Sequence, residues 1–415
     1  VKTELSSDFK KLLATRFLFN FGVEMQAVIL GWHMWNLTHD PLHLGLIGLA
    51  EAIPALSLAM FAGVLVDRSR PLQIYKLVLL FSLLSGFILW ASNQSWISLS
   101  LAEQVGALYL SSLVTGTARA FSQPSMYALV PRLVQRSQLP KSSAWMTSTM
   151  QVSRIAGPAM GGLIFGFAGG VSPTAAVVCV ILLGGVLLLY SIRTNPEPSP
   201  RTGVREHWLR ELTSGARFVF THGLLLPALT LDMVSVLFGG ITALLPIYAS
   251  TILFVGPQGL GALRAAPAVG AAATSLWMTR GKVRESAGTW LFACVFAFGL
   301  CNLVFAVSHS FWLSFAALLL SGGFDSVSMI VRSSAVQLVS PDHMRGRISA
   351  INSMFIGSSN ELGEFESGVA AKLMGTVQSA VFGASVSLVT VVAMFFVAPR
   401  LRRLNLRELE ESVAN

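Results

Sequence analysis

Apolar runs long enough to cross a bilayer recur twelve times along the chain, at about 12–37, 43–66, 73–91, 99–122, 142–168, 173–191, 224–252, 259–279, 286–307, 311–335, 347–371 and 376–398. A bilayer core of roughly 30 Å needs about 20 such residues per spanning helix. The runs therefore predict an all-α integral membrane protein of twelve transmembrane helices. Composition agrees: 53% of residues are hydrophobic and 12% charged, about half the charged share of a soluble domain. Such a chain excludes a soluble enzyme, a disordered polypeptide, a collagen-like repeat and a secreted disulfide scaffold. Cys179, Cys294 and Cys301 lie inside apolar runs and read as small buried hydrophobes. The first run carries Asn20, Glu24 and Gln26, so no cleavable signal peptide is expected there.

The formal net charge is +9, and its placement gives orientation. Lys2, Lys10, Lys11 and Arg16 precede or open run one; Arg68, Arg70 and Lys76 follow run two; Arg132, Arg136 and Lys141 follow run four. Arg280, Lys282 and Arg284 follow run eight, Arg345 and Arg347 follow run ten, and Arg400, Arg402, Arg403 and Arg407 end the chain. The loops after runs one, three, five, seven and nine hold no Lys or Arg, and only Lys372 lies near the opposite face. This is a positive-inside pattern with both termini cytoplasmic. Topology accounts for the surplus charge, so no nucleic-acid partner is expected.

Two halves repeat. Gly48-Leu-Ala-Glu51-Ala-Ile-Pro54 in run two matches Gly261-Ala-Leu-Arg264-Ala-Ala-Pro267 in run eight. Arg154 to Gly162 in run five matches Asn360 to Gly368 in run eleven, and Leu133-Val134 matches Leu338-Val339. Run n always pairs with run n+6. The expected organisation is a six-helix bundle over 1–192, a cytoplasmic linker with an amphipathic helix over 193–223, a second bundle over 224–399 and a tail over 400–415. Two such pseudo-symmetric bundles place a binding site between them near the midplane.

An ionised group at the bilayer centre costs at least about 2.5–3.5 kcal/mol, so intramembrane charges should face protein or a water-filled route. Glu24, Glu51, Arg119, Arg154, Asp232, Arg264, Asp325, Arg332, Glu361, Glu364 and Glu366 occupy runs one, two, four, five, seven, eight, ten and eleven. Runs three, six, nine and twelve have charge-free interiors. That partition predicts lipid-facing support helices and helices lining a path. Glu24, Asp232, Asp325, Glu361, Glu364 and Glu366 are the candidate acids of the path, with Arg119 and Arg154 as their partners. Glu361 and Glu364 share a helix face, and two carboxylates that close resist double ionisation, so one is a candidate proton carrier. Glu51, Arg264 and Arg332 stand nearer a membrane face and read as structural pairs or interfacial anchors.

Two motifs remain. Gly157-Pro158-x-x-Gly161-Gly162 combines small residues that permit close helix approach with a proline that bends the helix. Gly63-x-x-x-Asp67-Arg68-x-Arg70, at the cytoplasmic end of run two, places a glycine for close approach and an acid that can meet another helix's N-terminus.

These motifs resemble the major facilitator superfamily. Gly63…Asp67-Arg68-x-Arg70 is similar to its loop 2–3 signature, and Gly157-Pro158-x-x-Gly161-Gly162 to the fifth-helix motif of its drug:proton antiporters. Arg345-Gly346-Arg347-Ile-Ser-Ala-Ile-Asn352 resembles the loop before helix eleven in the branch holding enterobactin exporters, macrolide efflux proteins and transmembrane secretion effectors. The resemblance implies a cytoplasmic gate latch at Gly63, Asp67, Arg68 and Arg70, and an exporter marked by Gly157 and Pro158. Three departures stand out: Ser69 occupies the place of a loop glycine, Ser112 the place of the family's fourth-helix arginine, and Arg280 the place where the repeat would put an Asp.

The expected function is proton-coupled export of a small amphipathic molecule by alternating access. A monomer in a bacterial cytoplasmic membrane is expected, with protons and the substrate as partners and neither cofactor nor metal. The alternative is a facilitator, or a carrier of a siderophore, metal ion or lysolipid. No nucleophile motif or phosphate loop supports an enzyme.

Overall fold

The computed structural model describes residues 5–192, 217–278, 285–341 and 344–414, and every regular element among them is helical. The long helices are α1 (Ser7–Thr38), α2 (Pro41–Arg68), α3 (Pro71–Ala91), α4 (Leu101–Leu133), α5 (Leu139–Ala168), α6 (Val171–Tyr190), α7 (Leu225–Phe238), α8 (Gly256–Met278), α9 (Ala287–Val307), α10 (Phe311–Val339), α11 (Arg345–Met374) and α12 (Thr376–Val397). Their ends follow from local chemistry. The Ser6 hydroxyl accepts from Phe9 N–H to open α1, and the Asp40 carboxylate accepts from Leu42 N–H to open α2. Ser100 and Glu103 form a reciprocal capping box at α4. Gly169, in the left-handed region, ends α5.

Run seven forms one segment of spanning length, Leu225–Ile252, but not one continuous helix. Helix α7 stops at Phe238, and the chain continues past Gly239 and Gly240 as a 3-10 turn (Ile241–Leu244), a short helix (Leu245–Ile247) and a π turn (Tyr248–Ile252). Among the described residues, eight segments are long and apolar enough to cross a membrane by length and composition: α1, the first part of α2, α3, α6, Leu225–Ile252, α9, α10 and α12. Helices α4, α5, α8 and α11 fall short because they carry the glycines, hydroxyls and charges of the candidate site.

The chain divides into two compact units. The first holds Val1–Arg201 and Leu245–Ala265, the second Thr202–Leu244 and Ala266–Asn415. In the first, α2 packs on α4, α3 on α4 and α6, and α1 on α5 and α6. Phe9, Leu12, Tyr75, Leu79, Leu129 and Leu189 form its core. In the second, α9 packs on α10 and α12, and α7 on α11 and α12. Leu291, Phe292, Val327, Val331, Val391 and Leu401 form that core. The end of the chain belongs to it: Leu401, Leu404 and Leu406 are buried, and Gly288 N–H donates to the Leu404 carbonyl at 3.0 Å.

The four charge-free helices turn large apolar side chains outward. Helix α3 exposes Leu77, Leu80, Phe81, Leu84 and Phe87, and α6 exposes Val180, Leu183 and Leu187. Helix α9 exposes Phe296 and Leu300, and α12 exposes Val389, Val392 and Phe396. Exposed apolar stripes of this kind mark surfaces that contact lipid or another protein. The segment 193–216, which includes the expected amphipathic linker helix, and the loop 279–284 with Arg280, Lys282 and Arg284 lie outside the described residues.

Candidate transport site

The helix-bend motif meets a candidate acid. A methyl group at Gly157 would stand 2.6 Å from Glu24 Cβ and 3.0 Å from the Phe21 carbonyl, and one at Gly161 would stand 3.1 Å from Met25 Cα. The glycine face of α5 therefore lies on the backbone of α1 at mid-helix. On its other side, a methyl at Gly162 would stand 2.9 Å from Gly261 Cα, and one at Gly261 would stand 2.5 Å from the Pro158 carbonyl. Helix α5 is thus sandwiched, within the first unit, between α1 and the start of α8. Only residues without side chains permit both contacts. Glu24 is half-buried, whereas Arg154, expected as a partner for such acids, is exposed on α5.

Arg119 has a partner. It donates to Glu51, linking α4 to α2 beside a crossing where Gly116 lies against Pro54 and the Glu51 carbonyl. The second unit repeats the crossing, with Gly322 of α10 against Pro267 of α8. When Gly116 is placed on Gly322, the same register carries Arg119 onto Asp325 and Gln26 onto Asp232.

Those last two positions sit in polar clusters of opposite character. In the first unit, Gln26 of α1 reaches Ser85 of α3 at 2.6 Å and Ser111 of α4 at 2.9 Å. Ser85 also meets Thr115 at 2.7 Å and donates to the Ser111 carbonyl at 2.7 Å. This knot is neutral, and each of its hydroxyls has a partner. In the second unit, Asp232 of α7 pairs with Arg332 of α10, and the two residues are only 6% and 3% exposed. Asp232 and Asp325 share a small cavity of about 10 Å³ with Ser235, Val236, Val295, Phe298 and Ser328. Of the two readings open for Arg332, a structural pair or an interfacial anchor, the structure has the pair: its guanidinium is buried against the Asp232 carboxylate one helix away. Asp232 and Asp325 do come together, but the third wall of their cavity is α9, a charge-free helix expected to lie outside the path.

The acids of α11 flank a different feature. Glu361, Glu364 and Glu366 are all half-buried. Between them Gly363 rests on α7, where a methyl would stand 2.7 Å from the Leu237 carbonyl and 3.0 Å from that of Val236. Gly240 answers from the interruption of α7, its methyl position 2.6 Å from the Gly363 carbonyl. The acid run is therefore carried by the stretch of α11 that packs on the broken turn of α7.

The expected cytoplasmic latch is only partly visible. Gly63 has open space where a methyl would stand, so no close approach requires glycine there. Arg70 is exposed and caps α3, while the side chains of Asp67 and Arg68 lie outside the described residues. Among the described residues no group of His, Cys, Asp and Glu is arranged to hold a metal ion such as zinc. Sequence reasoning missed Ser85, Ser111, Thr115, Ser235 and Ser328 altogether. Serine and threonine are ordinary in membrane helices, where they bond to their own helix backbone, so nothing in their spacing marks a cluster.

Known proteins fit this architecture. In fold the chain is similar to a POT family transporter solved with a thioalcohol-conjugated peptide, at TM-score 0.75 and 11% identity over 95% of this chain and 96% of that one. It also aligns with a bacterial homologue of the iron transporter ferroportin in an inward-facing state, at TM-score 0.71 and 16% identity over 96% and 100%. By sequence, the chain is 27% identical over 404 residues to the enterobactin exporter EntS of Escherichia coli O139:H28, covering 95% of this chain and 92% of the exporter. The counterpart in Escherichia fergusonii matches equally. The profile of the transmembrane secretion effectors spans residues 5–414, and the chain belongs to that family of major facilitator transporters.

Proposed function

We propose that this transporter is a proton-coupled antiporter that exports a small amphipathic molecule by alternating access across a bacterial cytoplasmic membrane, with both termini cytoplasmic. The observation that carries the reading is the contact of Gly157 with Glu24. It joins a carboxylate at the middle of α1 to the bend motif of α5, whose other side touches the start of α8. A carboxylate in a membrane interior gains or loses a proton at a large change in solvation energy. Glu24 is placed so that this change is felt by the α1–α5–α8 packing. Loading Glu24 from outside, and releasing the proton inside, would alternate with substrate on the same helices. Glu361 and Glu364, half-buried beside the broken turn of α7, are the second carriers. A charge that crosses the full potential is worth about 2.3 kcal/mol per 100 mV, about fifty-fold accumulation at 1.4 kcal/mol per tenfold.

The test is transport in everted vesicles that carry a proton gradient. Adding substrate should dissipate the gradient in wild type. Glu24→Gln, Glu361→Gln or Glu364→Gln should abolish uphill transport while leaving substrate exchange intact. Undiminished uphill transport in any variant removes that residue from coupling, and indifference to uncoupler replaces antiport with facilitated passage. A siderophore is the second reading of the cargo, favoured by the relation to exporters named for enterobactin. Accumulation of enterobactin in these vesicles, in competition with an amphipathic dye, distinguishes the two.

A further inference from the structure

The charges that follow α12 stand apart from the contacts just assigned to coupling. Arg400, Arg402, Arg403 and Arg407 lie there, and the fold treats them unequally. Arg407 is paired, meeting Glu285 at 3.0 Å and Glu411 at 3.4 Å. Arg402 lies over the ring of Phe395, 4.8 Å from its centroid. Arg400 and Arg403 are exposed, and neither forms an ion pair among the described residues. Topology explains why basic residues gather at this end of a span. It does not explain why the acids near the tail answer Arg407 and leave these two open.

The open arginines are held in place. The Arg400 guanidinium crosses the start of α7, where a methyl at Gly223 would stand 2.7 Å from Arg400 Nη1. Leu401 and Leu404 are buried around Arg403, which pins the backbone that carries it. On the membrane side of the arginines, α12 bears a groove of about 350 Å³ lined only by Leu388, Val389, Val392 and Ala393. Leu388 is lodged against α9, where a methyl at Gly299 would stand 3.0 Å from Leu388 Cδ2. Phe396, 72% exposed, lies one turn past Val392 on the same face and continues the groove toward the arginines. At 1.5 Å per residue the groove begins about 14 Å below Val397, the last residue of α12. The half-thickness of a bilayer core is about 15 Å. The groove therefore lies at acyl-chain depth, and the guanidinium groups at headgroup depth of the same leaflet.

We propose that this face of α12 binds one anionic glycerophospholipid, with an acyl chain along residues 388–396 and its phosphate on Arg400 and Arg403. A guanidinium meets phosphate oxygens through two parallel N–H donors, so two of them hold one phosphate firmly. A zwitterionic headgroup brings its own cation beside the two arginines and is disfavoured. Free phosphate satisfies the arginines and leaves the groove unused. An apolar helix of a second copy fills the groove and leaves the arginines unanswered. Only a lipid with a net negative headgroup meets both. Arg402, occupied by Phe395, and Arg407, occupied by its two acids, stand outside the site.

The site is read by binding, without transport, so it stands or falls separately from the antiport reading. The full chain, purified in detergent, is titrated with dioleoyl phosphatidylglycerol or dioleoyl phosphatidylcholine, and bound lipids are counted by native mass spectrometry. One phosphatidylglycerol should bind saturably, about tenfold or more tighter than phosphatidylcholine. Arg400→Ala and Arg403→Ala should each weaken it about fivefold, and the double variant about thirtyfold, from the worth of a basic side chain at a membrane surface. Arg407→Ala, which removes an exposed and already paired charge, should change it less than about twofold. Val392→Trp, which fills the groove and leaves the charge alone, should weaken it severalfold. Equal affinity for the two lipids overturns the proposal, because contact is then unselective. Equal losses at Arg407 and Arg400 overturn it too, because total tail charge then suffices. So does displacement of the lipid by glycerol 3-phosphate, which would put a free phosphate on the arginines without the groove. A lipid-free dimer would assign the face to a second copy and likewise sink it.

Discussion

Helices α1, α3 and α4 of the first unit and α7, α9 and α10 of the second are built on the same register, yet they solve the burial of polar groups in opposite ways. At Gln26 the first unit uses an amide and three hydroxyl residues that bond to one another and leave only the Gln26 Oε1 without a partner. At Asp232 the second uses an ion pair, a second carboxylate and two hydroxyls left over. The lesson is that duplication fixed where polar groups go but not whether they carry charge. A neutral knot serves as a fastener. A charged one is held by the ion pair of Asp232 with Arg332.

The contrast can be broken most forcefully at the ion pair. Arg332→Ala should destabilise the protein by about 3–5 kcal/mol, because it strands the buried Asp232 carboxylate. The double replacement of Asp232 and Arg332 by Leu should recover most of that loss, as read from thermal unfolding of purified protein. If the single change costs less than about 1 kcal/mol, the pair is solvated and the two units do not differ as described.

The shared helix crossings come next. Gly116→Ala and Gly322→Ala each place a methyl on a backbone carbonyl of the neighbouring helix and should cost about 1–3 kcal/mol by overpacking. Gly63→Ala, which meets open space, serves as the neutral control. A cost at one crossing and not at the other would show that the repeat is less faithful than its register.

Gln26→Leu should cost about 1 kcal/mol, the value of a typical hydrogen bond, since Ser85, Ser111 and Thr115 remain bonded among themselves. This small effect beside the large one at Arg332 is the comparison in its sharpest form.

The smallest effect lies outside the membrane. His222 Nδ1 accepts N–H groups of Leu224 and Leu225 at 3.2 and 3.4 Å, where α7 begins. Burial, with Arg400 nearby, holds its pKa below the usual histidine value. The folded state thus favours neutral His222. Its contribution is present above the ordinary histidine pKa of about 6.5 and is lost as pH falls through the lower folded value. Unfolding midpoints measured downward from neutral pH should fall slightly more steeply in wild type than in His222→Ala. The offset at neutral pH should correspond to about half a kcal/mol, the low end for a helix cap.

Much of the fold was legible in the chain because bilayer physics leaves a long-range signature. A span needs many consecutive apolar residues, and its ends sort Lys and Arg. The apolar stripes of α3, α6, α9 and α12 are compatible with the reading of charge-free runs as lipid-facing, but α2, α4, α5 and α10 expose large apolar side chains as well. The break after Phe238 was less visible: Gly239-Gly240 is a breaker signal, but it lies in a run whose hydropathy is otherwise continuous. For Arg332 the chain left a structural pair and an interfacial anchor both open, and only the structure chooses the pair. Distance from a membrane face says how far a side chain can reach toward water, and nothing about a carboxylate one helix away. The serines of both clusters were invisible because a hydroxyl in a membrane helix costs little alone, and becomes informative only when its neighbours are known.

The grouping of Leu245–Ala265 with the first unit carries a practical consequence. A polypeptide severed between residues 193 and 216 would yield a trailing fragment still bearing the turn and helix start that nest against Pro158 and Gly162 of the leading one. Neither fragment alone could bury what it buries in the intact chain. Co-expression should therefore rescue pieces that aggregate when produced singly.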